Sequence, residues 1–599
     1  MVKYKITWTR RANRGPRAAG RLAGLPLAVI AASLLGCENF NWHTVPPEPA
    51  PPPKSAAAED APWSGTVGAE SIVTNVDVQP LRGFGLVVGL DGRGSSDCPT
   101  VIRDYLVELL SKELGPKAPS ERRKIPSASE LIDSLDTAVV EVTGVVAAGA
   151  RKGTRFDLEI RALPGTSTQS LEGGLLLATP MRYFDQAASG QGLIAGAVLA
   201  EGAGPVFVNP LAEPDASSET DPRHGFVLGG GRALDERPFK LTLVRPNYQL
   251  AQRIERRVNE CFGHRPKAAE ALSAGFLELH TPPALGRQPQ RFVALVSQLY
   301  LDNRPAQLEP KLRELARQAV AGGANLERTA VAWEGLGRSV TPHLQPFYTN
   351  PDASVSFYAG RAGLRVGDLS ALSILGAAAA TPEHPHRLAA IRELGNCESP
   401  QTALLLAPLL SAPDDNVRVA AYEALLLRGH PAVQPITFPH RLDQSQINFV
   451  LDVVESSGPP LIYVRRTRLA RIAVFGDRIR LTPPIFYTDP DDSVTIHTVD
   501  GSDDLQLFAK RGGRMSEQLV LPPRVVDLLT SLADLPVRDE AGRLRGIGLP
   551  YSQVIGILNA LTADETIPAR LVMERGGPAV PSAPEGAPER PEGDRPETG

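Results

Sequence analysis

The chain has 599 residues, 42% of them hydrophobic, and its 63 lysines and arginines against 67 aspartates and glutamates leave a formal charge of −4. That length exceeds one core and suits three or four domains. A charge so near balance gives no electrostatic footprint for nucleic acid, and the 4 cysteines show neither the CxxC nor the Cys/His spacing of a structural zinc site.

At the N-terminus, Arg10, Arg11, Arg14, Arg17 and Arg21 precede a short apolar run from Leu22 to Leu35. The run is too short to span a bilayer comfortably, and a basic stretch followed by an apolar one is the order of an export signal. Arg10-Arg11 lacks the rest of a twin-arginine motif. Leu34-Leu35-Gly36-Cys37 resembles a bacterial lipobox, which makes Cys37 the lipidated first residue of the mature chain. A cleaved signal or an uncleaved anchor with an incidental cysteine is the alternative. Glu38 follows where Asp would favour inner-membrane retention, so the outer membrane is the expected address. Residues 38–65 then read as a Pro-rich, polyproline-like tether, and residues 576–599 as a disordered Pro/Gly/Glu tail. With Cys37 lipidated, Cys98, Cys261 and Cys397 remain, and an exported compartment permits a Cys98–Cys261 disulfide.

The first folded block, 66–302, is organised around Pro80-Leu-Arg-Gly-Phe-Gly-Leu-Val-Val-Gly-Leu-Asp-Gly-Arg-Gly94. A β-branched run between glycines predicts a strand from Phe84 to Leu90, closed by an Asp91-Gly92 hairpin, with backbone passing close to other backbone. Gly83-Phe-Gly85 lacks the third glycine, the preceding strand and the following helix of a dinucleotide fingerprint. Apolar spacing predicts a helix over 102–114 ending at Gly115-Pro116, and strands over 138–146 and 151–160, the latter alternating at Phe156, Leu158 and Ile160. Further strands are expected in 171–180 and 191–198, then a turn at Gly229-Gly-Gly231 and a strand from Phe239. A turn at Pro246-Asn247 opens a helix with Leu250, Ile254 and Val258 on its apolar face; a strand at 275–280 and a helix at 291–299 follow. Such strand-turn-helix units suggest small α+β domains stacked in series.

Gly83-Phe-Gly85-Leu86-Val87-Val88-Gly89-Leu-Asp-Gly92-Arg-Gly94 resembles the G-Y/F-G-L-V-V-G-L-x-G-x-G-D motif of the flagellar basal-body P-ring protein family. The resemblance continues in Gly153 to Ile160 and in Ser170 to Pro180, a stretch that carries Gly173, Gly174, Thr179 and Pro180. It ends near Asp302.

From 303 to 440 a period of 31 residues takes over. Pro351, Asp352, Val355, Phe357 and Ala359 are followed by Pro382, Glu383, His386, Leu388 and Ala390, then by Pro413, Asp414, Val417, Val419 and Ala421. A fixed period with small residues at packing positions predicts a helical solenoid, and the turns resemble HEAT repeats, in three or four helix pairs. It would serve as a partner-binding surface or as a spacer. His384 and His386 lack a third metal ligand and read as solvated.

β character returns over 441–575: strands at 460–464 and 493–497, a hairpin over 472–481 turning on Gly476-Asp477, helices over 521–535 and 549–561, and a strand at 568–573. Asp489-Pro-Asp-Asp-Ser does not make an EF-hand loop, because Val494 and Asp500 stand where glycine and glutamate are needed. The last helix and strand resemble the end of P-ring proteins, so the solenoid reads as inserted into a P-ring-like chain.

The expectation is therefore an α+β protein interrupted by an all-α HEAT-like array. No catalytic constellation and no cofactor motif occurs. The resemblance implies a structural, non-enzymatic subunit whose copies form a periplasmic ring around the flagellar rod. Its implied partners are its own copies, rod and L-ring proteins, and the outer membrane through Cys37. The glycine-dense strands suit close packing between subunits. Two other readings stand beside it: an envelope lipoprotein that uses a P-ring scaffold and its repeats in a non-flagellar assembly, and a solenoid adaptor in which 303–440 alone binds the partner.

Overall fold

The computed structural model describes residues 62–114, 127–186, 193–211, 221–321, 325–498, 501–511, 514–515, 518–538, 542 and 544–574. Cys37 and its lipobox, the tether up to 61 and the tail 576–599 lie outside them. The tether's expected last residues belong to the fold. Tyr300 donates to the Pro62 carbonyl at 2.6 Å, and the Arg328 guanidinium stacks 4.0 Å above the Trp63 ring.

The N-terminal block opens with α1 (Val67–Glu70), β1 (Ser71–Thr74), β2 (Gln79–Val88), α2 (Thr100–Leu114) and α3 (Ala128–Ile132). Five strands follow, β3 (Thr137–Val146), β4 (Arg155–Ala162), β5 (Leu175–Gln186), β6 (Leu193–Pro205) and β7 (His224–Ala233). They close with β2 into an antiparallel barrel in the order β2-β3-β4-β7-β6-β5. Alternation explains its core: Leu81, Val87, Val140, Val142, Leu158 and Ile160 point inward, while Leu86 and Val139 face α2 and α3 on the outside. Pairing of β2 with β5 closes the sheet and removes both of its edges.

Two turn readings change. Asp91 and Gly92 do turn, at φ of 51° and 84°, but they lead into α2 and α3 rather than directly into the partner strand. Gly229-Gly-Gly231 lies within β7: a Cβ on Gly231 would enter the Phe156 ring, and Gly229 bulges at φ 64° against the Arg468 carbonyl.

A second unit joins β8 (Phe239–Leu243), α4 (Tyr248–Phe262), β9 (Ala269–Ala271), β10 (Phe276–Leu279) and α5 (Pro289–Gln298) to β1. The sheet runs β1-β8-β10-β9, with Leu241, Leu243, Leu277 and Leu279 packed on Ile254 and Val258 of α4 and Phe292 of α5. Asn247 caps α4 by accepting from the Leu250 amide at 3.1 Å.

The helical array comprises α6 (Pro305–Val320), α7 (Leu326–Gly335), α8 (Thr341–Leu344), α9 (Ala353–Arg365), α10 (Ala371–Ala380), α11 (Arg387–Asn396), α12 (Gln401–Leu406) and α13 (Asp415–Leu426). The periodic residues do what their spacing predicts: Asp352 and Asp414 cap α9 and α13, and Val355, Phe357, Ala359, Ala390, Val417 and Ala421 are buried. His386 is not simply solvated, since its ring stacks on Phe357 at 4.5 Å and it bonds the Ser354 hydroxyl at 2.9 Å.

Helices stop at Leu426, before the expected boundary at 440, because β11 (Val433–Pro439) already belongs to the next sheet. β12 (Ile447–Val454), β13 (Leu461–Arg465), β14 (Arg471–Phe475) and the last strand, β22 (Arg570–Met573), complete it in the order β11-β12-β14-β13-β22. The expected 472–481 hairpin does not form: β14 pairs with β12 and β13, and Arg480 bridges to Arg524. Between β14 and β22 lie β15 (Phe486–Thr488), β16 (Val494–Thr498), β17 (Leu505–Arg511), β18 (Arg514–Met515) and β19 (Leu519–Leu521). They are followed by α14 (Val525–Ala533), the short pair β20 (Val537–Arg538) and β21 (Leu544–Arg545), and α15 (Tyr551–Ala563). The β11–β14 sheet is covered on one face by the array, through Tyr463, Ala473 and Phe475, and on the other by α14 and α15, through Ile462, Val464 and Val474. Cys98, Cys261 and Cys397 are all free thiols, so the permitted Cys98–Cys261 bridge is not made.

Candidate functional site

The motif that dominates the sequence lies along β2 and the turn after it, and its glycines are explained by contacts within the chain. A Cβ on Gly83 would come 2.6 Å from the Pro180 carbonyl, and one on Gly85 would overlap the Thr179 side chain. Gly83, Gly85, Thr179 and Pro180 thus form one close approach between β2 and β5, where the barrel closes. Leu86 and Val88 face α2 and α3 on the outer side, and Val87 fills the interior. Gly174 lies against Val87 and Leu90. The contacts that exclude a side chain at Gly83, Gly85 and Gly174 are internal to the chain.

The second half of the motif makes a junction with the C-terminal block. Gly89, at φ 76°, leaves no room for a side chain beside Leu442, and Arg441 donates to its carbonyl while pairing with Asp91 at 3.0 Å. Gly173, at φ 72°, lies beside Pro550, and buried His440 faces the Gly173 backbone. Burial, helped by the Arg441 charge, lowers the His440 imidazole to about 4. Arg93 donates to the Glu172 carbonyl at 2.8 Å, and burial lifts the Glu172 carboxyl above its ordinary range. Gly92, at φ 84°, and Gly153, at φ 85°, have open space around them and serve turns only.

A further tie was not legible in the motifs. Asp157 of β4 accepts from the Gly229 amide at 2.6 Å and the Arg468 amide at 2.8 Å, joining the barrel to the β13–β14 turn. Ser552 of α15 accepts from the Val208 amide at 3.0 Å, and Phe207 enters the core around Tyr551 and Phe449. Two segments more than 200 positions apart thus share one apolar core.

The chemistry of this region is packing and backbone recognition. Among the described residues no group of three or more His, Cys, Asp or Glu is placed to hold a metal ion, and no helix is long and apolar enough to cross a membrane.

The profile of the family described as Flagellar P-ring protein matches residues 71–333, and that of HEAT repeats matches 372–437. The first match takes in the barrel, the β1-β8-β10-β9 unit, α6 and most of α7, so it continues past Asp302. A flagellar P-ring protein of Anaeromyxobacter dehalogenans (strain 2CP-C) is 31% identical over 278 residues, 44% of this chain and 67% of the relative. One from Anaeromyxobacter sp. (strain K) is 30% identical over 278 residues, 44% of this chain and 68% of the relative. One from Sodalis glossinidius (strain morsitans) is 29% identical over 285 residues, with coverage of 45% and 68%. With the motif at the closure of the barrel and relatives matched over two thirds of their length, the chain belongs to the flagellar P-ring protein family and carries HEAT repeats in addition.

Proposed function

We propose that this chain is a structural subunit of the flagellar basal-body P ring, located in the periplasm and assembling with its own copies around the rod. The observation that carries the reading is the family match over 71–333, a stretch that contains the whole glycine motif and the barrel it closes. Rod and L-ring proteins are the neighbours in this assembly. Lipidation of Cys37 would add a tie to the outer membrane. The HEAT array, most of which lies beyond the family profile, would offer a further protein-binding surface.

The test is to purify basal bodies from cells carrying a tagged copy and to image the rod with and without the gene. Tag density in a collar around the rod, and loss of both collar and swimming on deletion, support the reading. Intact collars and normal swimming in the deletion strain sink it. A Cys37→Ser variant, assayed by metabolic labelling with a fatty acid, tests the anchor separately.

A further inference from the structure

The groove between the helical array and the last strand holds recognition groups that the chain itself leaves unused. Its volume is about 970 Å³, with Leu388 of α11 and Val419 of α13 on the helical wall and Tyr463 of β13 and Val572 of β22 on the sheet side. β22 is the terminal strand of its sheet and, among the described residues, pairs only with β13. The Arg570 and Glu574 amides donate to the Pro460 and Val464 carbonyls, both on the β13 side. Backbone direction alternates along a strand, so the N–H and C=O groups of Leu571 and Met573 point the other way, to the open edge. Both residues line the groove. Such an edge is a template for an added strand.

Tyr463 is 5% exposed, and among the described residues its hydroxyl has no hydrogen-bond partner. A buried tyrosine ordinarily finds one. Glu423 of α13 lines the same groove and acts on Tyr463 through its charge. Its one ion pair among the described residues is with Arg465 at 3.5 Å, and burial, with Glu574 close by, lifts its carboxyl above the ordinary range. The other carboxylates of the groove are occupied. Asp414 caps α13, Asp415 pairs with Arg570 at 2.8 Å, and Glu574 accepts from the Arg466 amide and the Thr467 hydroxyl, each at 2.8 Å. Arg392 is exposed at the rim, in water. The unspent polar groups inside are thus a carboxylate and a phenol oxygen, a pair that suits an ammonium or a guanidinium.

We infer that this groove takes an extended segment of another protein, which adds as a strand to the free edge of β22 and sends a lysine or arginine to Glu423 and Tyr463. Backbone bonds to Leu571 and Met573 supply affinity, and the acidic end selects the side chain. Charge argues against the chain's own ends as occupants. Residues 576–599 carry Glu585, Glu589, Glu592, Asp594 and Glu597 against Arg590 and Arg595, and their prolines, from Pro578 to Pro596, lack the amide that an added strand donates. Residues 38–61 carry Glu38, Glu48, Glu59 and Asp60 against Lys54. The inference rests on the reading of the array as a binding surface, to which it gives a place and a ligand class, and is independent of the ring.

The experiment uses the full chain, purified in mild detergent, and two fluorescein-labelled seven-residue peptides, one alternating valine with lysine and one alternating valine with glutamate. Binding is read by fluorescence anisotropy. Wild type binds the lysine peptide at least about tenfold more tightly than the glutamate peptide. Glu423→Lys and Leu571→Pro, which puts a ring where an outward amide was, each weaken the lysine peptide by at least about tenfold. Tyr463→Phe, which removes only the hydroxyl, weakens it severalfold. Unchanged thermal melting shows that the variants are folded; Met573→Pro carries the edge test if Leu571→Pro is not. A lysine peptide that does not bind wild type, or that binds Glu423→Lys or a folded edge variant as it binds wild type, overturns the inference and leaves the ring reading standing. Displacement of the probe by a synthetic peptide of residues 576–599 makes the chain's own tail the occupant and overturns the foreign partner.

Discussion

Glu334 of α7 accepts from Arg365 of α9 at 2.7 Å, and its other carboxylate oxygen takes Arg291 of α5 at 2.6 Å. Arg365 also bonds Glu393 of α11, so a line of charge-assisted bonds runs from the family-matched block through three helices of the array. All these groups are at least three-quarters shielded, where a bond to a charged partner counts for more than on the surface. Glu334→Ala takes from Arg291 its carboxylate and leaves Arg365 with Glu393 alone, and should cost about 3 kcal/mol in chemical denaturation. Glu334→Gln, which keeps the shape and some bonds, should recover part of that loss.

Gly85→Ala places a methyl group where the Thr179 side chain stands and should destabilise the barrel by about 1–3 kcal/mol. Thr179→Ala alone loses a hydrogen bond to Leu177, worth about 1 kcal/mol. The double variant should be more stable than the sum of the two losses predicts, as read from a double-mutant cycle; strict additivity would mean that the two residues do not meet.

Acid should loosen the junction at the end of the barrel. The His440 imidazole is held at about 4 when folded, below the ordinary 6.5, so the unfolded chain takes up a proton that the native one refuses. Its contribution is complete above pH 6.5 and falls away as pH drops from there toward 4. His440→Gln should flatten the stability profile in that window. The drop below pH 4.5 should persist in the variant, because the Glu159 carboxyl is lowered to about 2 by His224 and Arg161.

Residues 303–440 expressed alone should show no cooperative unfolding transition. The array's core continues into Tyr300 on one side and into Leu461, Tyr463 and Phe475 of the following sheet on the other, and excision exposes both ends. A stable, cooperatively melting fragment would contradict this and would revive the adaptor reading.

Local order was legible wherever one face of an element is buried. Alternation at Phe156, Leu158 and Ile160, the α4 face at Leu250, Ile254 and Val258, and the recurrence from Asp352 to Asp414 each report a nearby core through spacing alone. Barrel closure was not legible, because it depends on β2 meeting β5 some 90 residues later through an irregular register. The three glycines at 229–231 read as a turn because sequence does not say what fills the space beside them, here the Phe156 ring and the Arg468 carbonyl. The Arg291–Glu334–Arg365–Glu393 line escaped because its residue types do not recur with the period: Glu334 and Arg365 stand one repeat apart with opposite charge, and Arg291 precedes the array. At the candidate site the motif was visible at once, but its role as a seam between the barrel and the C-terminal block required Arg441, His440 and Leu442, which carry no motif.

The array is held at both extremities. At one, Glu334 meets Arg291; at the other, fully buried Arg418 donates to the Leu410 carbonyl at 3.0 Å and to Ser456 at 3.2 Å, while Tyr422 bonds Asp452 at 2.6 Å. Stacked helix pairs with a loose terminus flex like a spring, whereas a stack clamped top and bottom has its curvature set by its mounts. Force applied to either mount is carried along the stack to the other, which makes this segment a strut.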